Sequence, residues 1–242
     1  MRYHLVIPAA GSGRRFASSI PKQYARLGSS TVIEHALAPF EADQDCASIT
    51  LAIAADDEQW GALASRHPRV ATVTGGEQRA HSVRNALRSL ATHVRSDDWV
   101  FVHDAARPCL DAADITALKE SLRDEPAGGL IAVPLADTLK RGDSAEPASE
   151  ANVARVAATV DRSGLWRAAT PQVFRFAVLL PALETALEAR RIPTDESQAV
   201  EWAGHKPVLV AGRADNIKVT TQDDLLLASA ILAARSTAGR IE

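Results

Sequence analysis

The chain is poor in cysteine, in aromatic residues and in net charge, and two of these shortages exclude whole classes of protein. Its 242 residues include two cysteines, Cys46 and Cys109, and aromatic residues make up 5%. The cysteines lie far apart without histidine or cysteine at ligand spacing, so we expect free thiols in a reducing compartment. The formal net charge of −3 provides no global basic field. A general binder of nucleic acid or of an anionic membrane is therefore excluded.

Long apolar runs are also missing. No stretch approaches the length of a membrane-spanning helix, and the first residues lead into a strand without the apolar region of a signal peptide. We therefore expect a cytoplasmic protein that contacts no membrane. The composition is 46% hydrophobic and 24% charged, which allows a full core. The length suits one large α/β domain or two small ones.

Short apolar runs alternate with longer helical patterns along the chain. The strand-like runs are residues 3–8, 49–54, 69–74, 99–103, 129–133 and 207–210. The helical segments are residues 31–40, 57–65, 78–91, 112–122, 174–190 and 196–203. Buried strands separated by helices imply βαβ crossovers, so the sequence predicts an α/β fold with a mostly parallel sheet. Ligands of such sheets bind beyond the carboxyl ends of the strands.

The first forty residues carry the strongest chemical signal. A strand runs into the small-residue loop 9–13, Arg14 and Arg15 follow at once, and Lys22 comes shortly after. Glycines let a phosphate approach the backbone N–H groups, and the cations match the charge of a triphosphate. The loop lacks the ending of a Walker A motif, and Phe16 replaces the third glycine of a dinucleotide fingerprint. We interpret the segment as a nucleoside triphosphate site, with a simple tight turn as the alternative.

A second motif, VHDAARP, follows the strand at residues 99–103. Asp104 lies at the carboxyl edge of the predicted sheet, where a carboxylate can hold Mg²⁺ or can cap a turn. Arg107 can bond Asp104 or a phosphate. His103 fits a packed core histidine as well as a functional one.

A third motif, TGGEQRAHS, repeats the order of strand, glycine turn and helix. Gly76 and its neighbour allow a flat group to approach the backbone, and the Ser82 hydroxyl can donate or accept beside it. One interpretation is a loop that recognises a base. The alternative is a glycine turn that places Glu77 in the first turn of a helix.

Three later segments have weaker signals. Lys218 lies in a β-like stretch before a C-terminal helix, either as an active-site lysine or as a solvated edge residue. Residues 193–197 fit a helix N-cap with an acidic first turn. Residues 136–152 are polar and precede a β-like run at residues 153–160, which predicts either a surface hairpin or an arm that pairs with a second subunit.

Taken in order, the motifs resemble those of the 2-C-methyl-D-erythritol 4-phosphate cytidylyltransferase family. The resemblance runs from residue 4 to about residue 230 and rests on PAAGSGRRF, PKQY, GGEQRAHSV, VHDAARP, DTLKR, ATPQVF, TDES and DNIKVT. It implies a single Rossmann-like domain over residues 1–242, with a projecting β-arm at about residues 136–160 through which two subunits form a homodimer. It also implies transfer of a cytidylyl group from CTP to methylerythritol phosphate, with Mg²⁺ as cofactor, in the non-mevalonate route to isoprenoids.

The resemblance further implies a role for each motif residue. Arg15, Lys22 and Lys218 would be the catalytic cations, and Asp104 would lie near the metal. Thr138 and Arg162 would reach the acceptor from the arm of the other subunit. The residues implied to bind the nucleotide are Ala9, Ala10, Gly11, Gly13, Gly76, Glu77, Ser82, Asp104 and Ala105. The residues implied to bind the acceptor are Arg107, Thr138, Arg162, Thr170 and Thr194.

Two alternatives stay open beside this interpretation. A ribitol 5-phosphate or other sugar-phosphate cytidylyltransferase would share the nucleotide half and differ in the acceptor pocket. A non-catalytic nucleotide-binding protein could keep the fold without needing Lys22 or Lys218. The family often has aspartate at the position of Glu77 and an acidic residue at that of His81, and these departures concern the detail of base recognition.

Overall fold

A computed structural model describes residues 1–11, 16, 20–143 and 153–238. The strands of this part of the chain are β1 (Tyr3–Pro8), β2 (Arg26–Leu27), β3 (Ser30–Thr31), β4 (Cys46–Ile53), β5 (Val70–Thr74), β6 (Trp99–Val102), β7 (Gly128–Pro134), β8 (Leu139–Gly142), β9 (Val156–Val160), β10 (Trp166–Arg175) and β11 (Val208–Ala211). The helices are α1 (Val32–Glu41), α2 (Trp60–Leu63), α3 (Arg79–Leu90), α4 (Ala112–Ser121), α5 (Phe176–Glu188), α6 (Glu196–Trp202) and α7 (Gln222–Ala238). Short 3-10 helices cover Lys22–Tyr24 and Ala64–Arg66.

One seven-stranded sheet organises the molecule, in the order β11-β7-β10-β6-β1-β4-β5. Neighbours β6, β1, β4 and β5 pair in parallel, as do β7 and β11, whereas β10 is antiparallel to both of its neighbours. The predicted mostly parallel α/β sheet is confirmed. Because β1, β5 and β6 run the same way, the loops that follow them meet at one edge.

Both faces of the sheet are buried, which explains the unbroken apolar runs of the central strands. In β1, Leu5 and Ile7 point into a core with α1 and α4, while Val6 points into a second core with α3 and α5. All three side chains are fully buried. The period of two along the strand therefore feeds two separate layers of helices.

A smaller third core lies beneath α7. Val219 and Ala228 pack there with Phe16 and Val32, and the Val219 N–H donates to the Ala106 carbonyl at 2.8 Å. The predicted C-terminal helix is confirmed, and Thr221 and Asp224 bond each other at its start. This packing ties the segment that carries Lys218 to the body of the domain.

The antiparallel strand β10 corrects the sequence prediction, which identified no strand at residues 166–173 and began a helix at residue 174. Pro171 lacks the N–H that a central strand needs, so the sequence argues against a strand here. The register between β10 and β7 shifts between Ala168 and Gln172, and this irregularity accommodates the proline. The helix α5 then begins at Phe176.

Two further boundaries differ from prediction. The predicted helix at residues 57–65 is shorter, with α2 of four residues followed by a 3-10 turn. Lys218 lies in an irregular segment rather than in a β-like stretch. Both cysteines are buried and free, as predicted. Among the described residues, no helix is both long enough and apolar enough to cross a membrane.

Strands β8 and β9 form a separate antiparallel hairpin. It continues from the ends of β7 and β10, where Pro134 pairs with Trp166, and so extends beyond the same sheet edge as the loops after β1 and β6. Its residues are largely exposed, with Val156 63% accessible. The predicted hairpin is thus confirmed, although residues 144–152 of the predicted arm lie outside the described part of the chain.

Candidate active site

One cleft opens at the carboxyl edge of the sheet, where the loops after β1, β5 and β6 converge. Lys22, from the 3-10 helix, and Lys218 face it from opposite ends of the sequence. The predicted site residues that line the cleft are Ala9, Ala10, Gly11, Lys22, Gly76, Glu77, Ser82, Asp104, Ala105 and Lys218. Gly13 and Arg15, which belong to the same predicted site, lie outside the described residues. Most of the predicted nucleotide side therefore comes together.

The loop after β1 is held by hydrogen bonds within the chain. The Ala9 N–H donates to the Ala52 carbonyl at 2.7 Å, which extends the β1–β4 ladder by one bond. The amide of Gln23 donates to the carbonyls of Ala9 at 2.7 Å and Gly11 at 3.3 Å. Gln23 is buried, so it fixes the loop and the adjacent Lys22 together. In the motif PKQY only Lys22 was predicted to have a role, whereas the role of Gln23 depends on these two hydrogen bonds.

The loop after β5 touches the loop after β1. A Cβ at Gly75 would lie 2.4 Å from the Ala10 Cβ and 2.8 Å from the Ser82 hydroxyl, so this position excludes a side chain. The Ser82 hydroxyl accepts from the Gly76 N–H at 3.0 Å and donates to the Gln78 carbonyl at 3.3 Å. Ser82 is 2% exposed. Its hydroxyl therefore closes the turn that presents Gly76.

Asp104 is the centre of charge in the cleft. Its Oδ1 lies 2.8 Å from Arg79 Nε, and its Oδ2 lies 2.7 Å from Lys218 Nζ and 3.7 Å from Arg107 Nε. Burial alone would raise the pKa of Asp104, but the positive charges of Arg79, Lys218 and Arg107 hold that pKa well below its usual value. The carboxylate is therefore ionised throughout the neutral pH range.

The Lys218 segment is anchored at Asn216, two residues before the lysine. Arg107 donates through Nη1 to the Asn216 carbonyl at 2.8 Å, and the Asn216 amide donates to the Thr170 carbonyl at 2.8 Å. Lys218 itself stays 41% exposed. Arg107, predicted to bind the acceptor, thus lies behind Asp104 and holds the backbone that carries Lys218.

A chain of buried hydrogen bonds supports the backbone of Asp104. The Asp104 N–H donates to the Thr170 hydroxyl at 3.0 Å, and that hydroxyl lies 3.0 Å from His103 Nδ1. His103 Nε2 faces the Arg107 carbonyl at 3.2 Å, so Nε2 carries the proton and Nδ1 accepts from Thr170. Burial lowers the pKa of His103 to about 4. His103 is therefore a neutral core residue.

The strand register explains why Thr170 lies next to Asp104. Gln172 of β10 pairs with Val102 at the end of β6, so Thr170 lies beside Asp104, just beyond that end. Thr170 is 4% exposed, which makes its hydroxyl a part of the frame behind the cleft. The implied position in the lining of an acceptor pocket does not match this burial.

The other predicted acceptor residues lie outside the cleft. Thr138 precedes β8 and Arg162 follows β9, and both are exposed. Thr194 is exposed before α6, and its N–H donates to the Gln198 side chain at 2.9 Å. The acceptor side is therefore not assembled around this cleft in the way the nucleotide side is.

Two charged residues of the site were missed by sequence analysis. Arg79 lines the cleft at the start of α3, and Glu196 is fully buried at the start of α6. The sequence held one signal: a cation in the first turn of a helix opposes the helix dipole and needs a reason to be there. Residues 193–197 were predicted as an N-cap, which is confirmed by the Asp195 carboxylate that accepts from the Gln198 N–H at 2.9 Å.

Comparisons with known proteins show the family of the chain. Residues 3–234 match the family model described as 2-C-methyl-D-erythritol 4-phosphate cytidylyltransferase. A relative of that name from Pseudomonas putida (strain W619) is 49% identical over 222 residues, which cover 91% of each chain.

Solved structures of similar chains are named for the same activity. The crystal structure of a 4-diphosphocytidyl-2C-methyl-D-erythritol synthase is 36% identical, with a TM-score of 0.82, over 96% of this chain and 100% of that one. The Francisella tularensis 2-C-methyl-D-erythritol 4-phosphate cytidylyltransferase is 34% identical, with a TM-score of 0.77, over the same shares of the two chains. The chain therefore belongs to the 2-C-methyl-D-erythritol 4-phosphate cytidylyltransferase family.

Proposed function

We propose that the chain transfers the cytidylyl group of CTP to 2-C-methyl-D-erythritol 4-phosphate and releases pyrophosphate. The product is 4-diphosphocytidyl-2-C-methyl-D-erythritol, a precursor in isoprenoid synthesis. The observation that carries the proposal is the cleft in which the loop after β1, Lys22 and the pair of Lys218 with Asp104 face the loop around Gly76. Family membership supplies the identity of the nucleotide and of the acceptor.

The reaction is an in-line displacement at phosphorus. An oxygen of the acceptor phosphate attacks the α-phosphorus of CTP, a new P–O bond forms, and the bond to the departing pyrophosphate breaks. The attacking oxygen is already an anion at neutral pH, so no general base is required. The difficulty is repulsion between two polyanions, and Arg15, Lys22 and Lys218 reduce it and stabilise the transition state.

Each loop has a separate task in this proposal. The backbone of Ala9, Ala10, Gly11 and Gly13 wraps the triphosphate, with glycines where the phosphates come closest. Gly76 and Glu77 face the cytosine, and Ser82 keeps their turn closed through its bond to the Gly76 N–H. The segment Asp104–Ala105 forms the side of the cleft next to the ribose.

The cleft also has a donor of the kind that Mg²⁺ prefers. Asp104 presents a carboxylate at the cleft, and the low pKa of that group keeps its oxygens unprotonated. We infer that Asp104 would help to hold Mg²⁺ through a lone pair that its bonds to Arg79 and Lys218 leave open. When bound, the ion supplies positive charge that neutralises the triphosphate.

The acceptor side points to a homodimer. Thr138 and Arg162 lie at the base of the hairpin β8–β9, which extends past the sheet edge, and they do not line this chain's cleft. We infer that the protein works in the cytoplasm as a homodimer, in which the hairpin of a second copy brings Thr138 and Arg162 to the acceptor phosphate. The acceptor pocket then also includes Thr194, and Arg107 and Thr170 support this pocket from behind. One chain is then a single nucleotidyltransferase domain.

Pyrophosphate release by the purified protein tests the reaction. The protein is given Mg²⁺ and CTP with either methylerythritol phosphate or ribitol 5-phosphate, and the assay is repeated with UTP, with ATP and with a chelator. We expect release with CTP and methylerythritol phosphate, and loss of release with the chelator. Release with ribitol 5-phosphate instead would overturn the acceptor assignment, and CTP binding without release from any pair would indicate a non-catalytic binding protein.

A further inference from the structure

Arg79 joins three elements of the site through one side chain. Its Nε lies 2.8 Å from Asp104 Oδ1, and its two terminal nitrogens bond the Glu196 carboxylate at 2.6 Å and 2.9 Å. Arg79 begins α3, Asp104 follows β6, and Glu196 begins α6. The guanidinium therefore fixes the distance between the nucleotide loops and the end of the segment that carries Thr194.

The position of Arg79 is costly for local structure. A cation at the first residue of α3 opposes the helix dipole, and Arg107 and Lys218 add positive charge around the same carboxylate. Glu196 is fully buried, and burial raises its pKa while the attraction of Arg79 opposes that rise. The buried Glu196 carboxylate is neutralised by Arg79, a cation at an unfavourable helix position. Departures from local rules such as these are typical of functional sites rather than of surface ion pairs.

The bond from Arg79 also gives the two carboxylate oxygens of Asp104 different partners. With Oδ1 held by Arg79, only Oδ2 is directed to Lys218, at 2.7 Å. A carboxylate without that hold can rotate about its side-chain bonds, and the lysine that it orients then loses its fixed place.

We propose that Arg79 is a positioning residue that locks Asp104, and through it Lys218, at the edge of the cleft, with Glu196 as the buried anchor that holds Arg79. The kinetic part of this inference rests on the proposed cytidylyl transfer. The structural part, the orientation of Asp104 and Lys218, is independent of the reaction.

The test uses a paired substitution, because Arg79→Gln alone leaves Glu196 buried without a partner and can prevent folding. The double variant Arg79→Gln/Glu196→Gln replaces the ion pair by two neutral amides of similar size. Arg88→Gln is the matched control, since Arg88 lies on the same helix and pairs with Glu184 of α5 at 2.7 Å, away from the cleft. Each protein is assayed for thermal unfolding, CTP affinity, and kcat and KM in the transfer reaction.

We expect the double variant to fold and to bind CTP within about threefold of the wild type, since Arg79 orients groups rather than holding the nucleotide. We expect its kcat to fall at least about tenfold, because Lys218 is no longer preorganised. The control should keep the wild-type kcat. A folded double variant with wild-type kcat would contradict the proposal, and a loss of CTP affinity above about tenfold would make Arg79 a direct nucleotide ligand instead.

A crystal structure of the double variant separates the two proposals. We expect Asp104 to adopt another rotamer and the contact between Lys218 Nζ and Asp104 Oδ2 to be lost. An unchanged contact would contradict the positioning role whether or not the protein transfers cytidylyl groups. Absence of pyrophosphate release from the wild type would instead contradict the proposed function and leave this structural result standing.

Discussion

The nucleotide side and the acceptor side of the site are built in different ways. The nucleotide side uses short loops at one sheet edge, each closed by its own hydrogen bonds, such as those of Gln23 to Ala9 and of Ser82 to Gly76. The predicted acceptor residues Thr138 and Arg162 lie at the base of an exposed hairpin. The described residues of the nucleotide side thus come together within one chain, whereas in our proposal the acceptor side depends on where a second chain places its hairpin.

The largest effect is expected from the cations of the nucleotide side. Lys218→Ala and Lys22→Ala should fold normally and lower kcat at least about a hundredfold, because loss of one preorganised charge costs about 3 kcal/mol of transition-state stabilisation. Steady-state pyrophosphate release measures this, with Lys206→Ala as an exposed-lysine control. Near-normal turnover of either variant would remove that lysine from the mechanism.

The buried His103 behind Asp104 should make the free energy of unfolding depend on pH. His103 has a pKa of about 4 in the folded protein against 6.5 when unfolded, so the unfolded state binds the extra proton first as pH falls. The stability present above pH 6.5 is lost as pH falls toward 4, by about 2 kcal/mol between pH 7 and pH 5.

Urea unfolding at both pH values measures this loss. In His103→Gln the loss between pH 7 and pH 5 should be smaller by about 2 kcal/mol, whereas the exposed-histidine variant His93→Gln should behave as the wild type. Equal losses in His103→Gln and the wild type would contradict the neutral, buried state of His103.

A smaller and selective effect is expected on the acceptor side. Arg162→Ala should raise KM for methylerythritol phosphate about tenfold and leave KM for CTP nearly unchanged, because one charge-assisted bond to a phosphate is lost. Arg141→Ala, at another exposed arginine of the hairpin, is the control. Equal changes in KM for CTP and in KM for methylerythritol phosphate would contradict the assignment of Arg162 to the acceptor side alone.

The smallest effect concerns the turn around Gly76. Ser82→Ala removes a hydroxyl that accepts from the Gly76 N–H, which costs about 1 kcal/mol and should raise KM for CTP about fivefold. Ser89→Ala on the same helix removes a hydroxyl that bonds the Ala86 carbonyl, away from the cleft, and should leave KM unchanged. An unchanged KM in Ser82→Ala would show that the backbone alone holds the turn.

The sequence predicts best what depends on local pattern. The run that ends at Pro8 and the run before Asp104 are apolar and short, so they were identified as strands, and their direction in a parallel sheet brings their loops together. The family, its fold and its class of reaction were likewise predicted, and the comparisons confirm them.

What the sequence missed depends on contacts between distant residues. The strand β10 was not predicted because Pro171 argues against a strand. The proline is accommodated by an irregular register between β10 and β7, which the local sequence pattern does not indicate. Arg79 and Glu196 are separated by 117 positions, and neither carries a signal of the other. The role of Thr170 behind Asp104 is equally non-local, because its partners Asp104 and His103 lie 66 and 67 positions away along the chain.

A mixed dimer tests the difference between the two sides most directly. Chains carrying Lys218→Ala and chains carrying Arg162→Ala are co-expressed with two tags. Pyrophosphate release is compared with that of each variant alone, at a methylerythritol phosphate concentration well below KM, where Arg162→Ala alone should keep about a tenth of the wild-type activity. If Lys218 of one chain works with Arg162 of the other, each mixed dimer has one intact site, and a random mixture should reach roughly a quarter of wild-type activity. A mixture no more active than the separate variants would contradict a site shared between two chains.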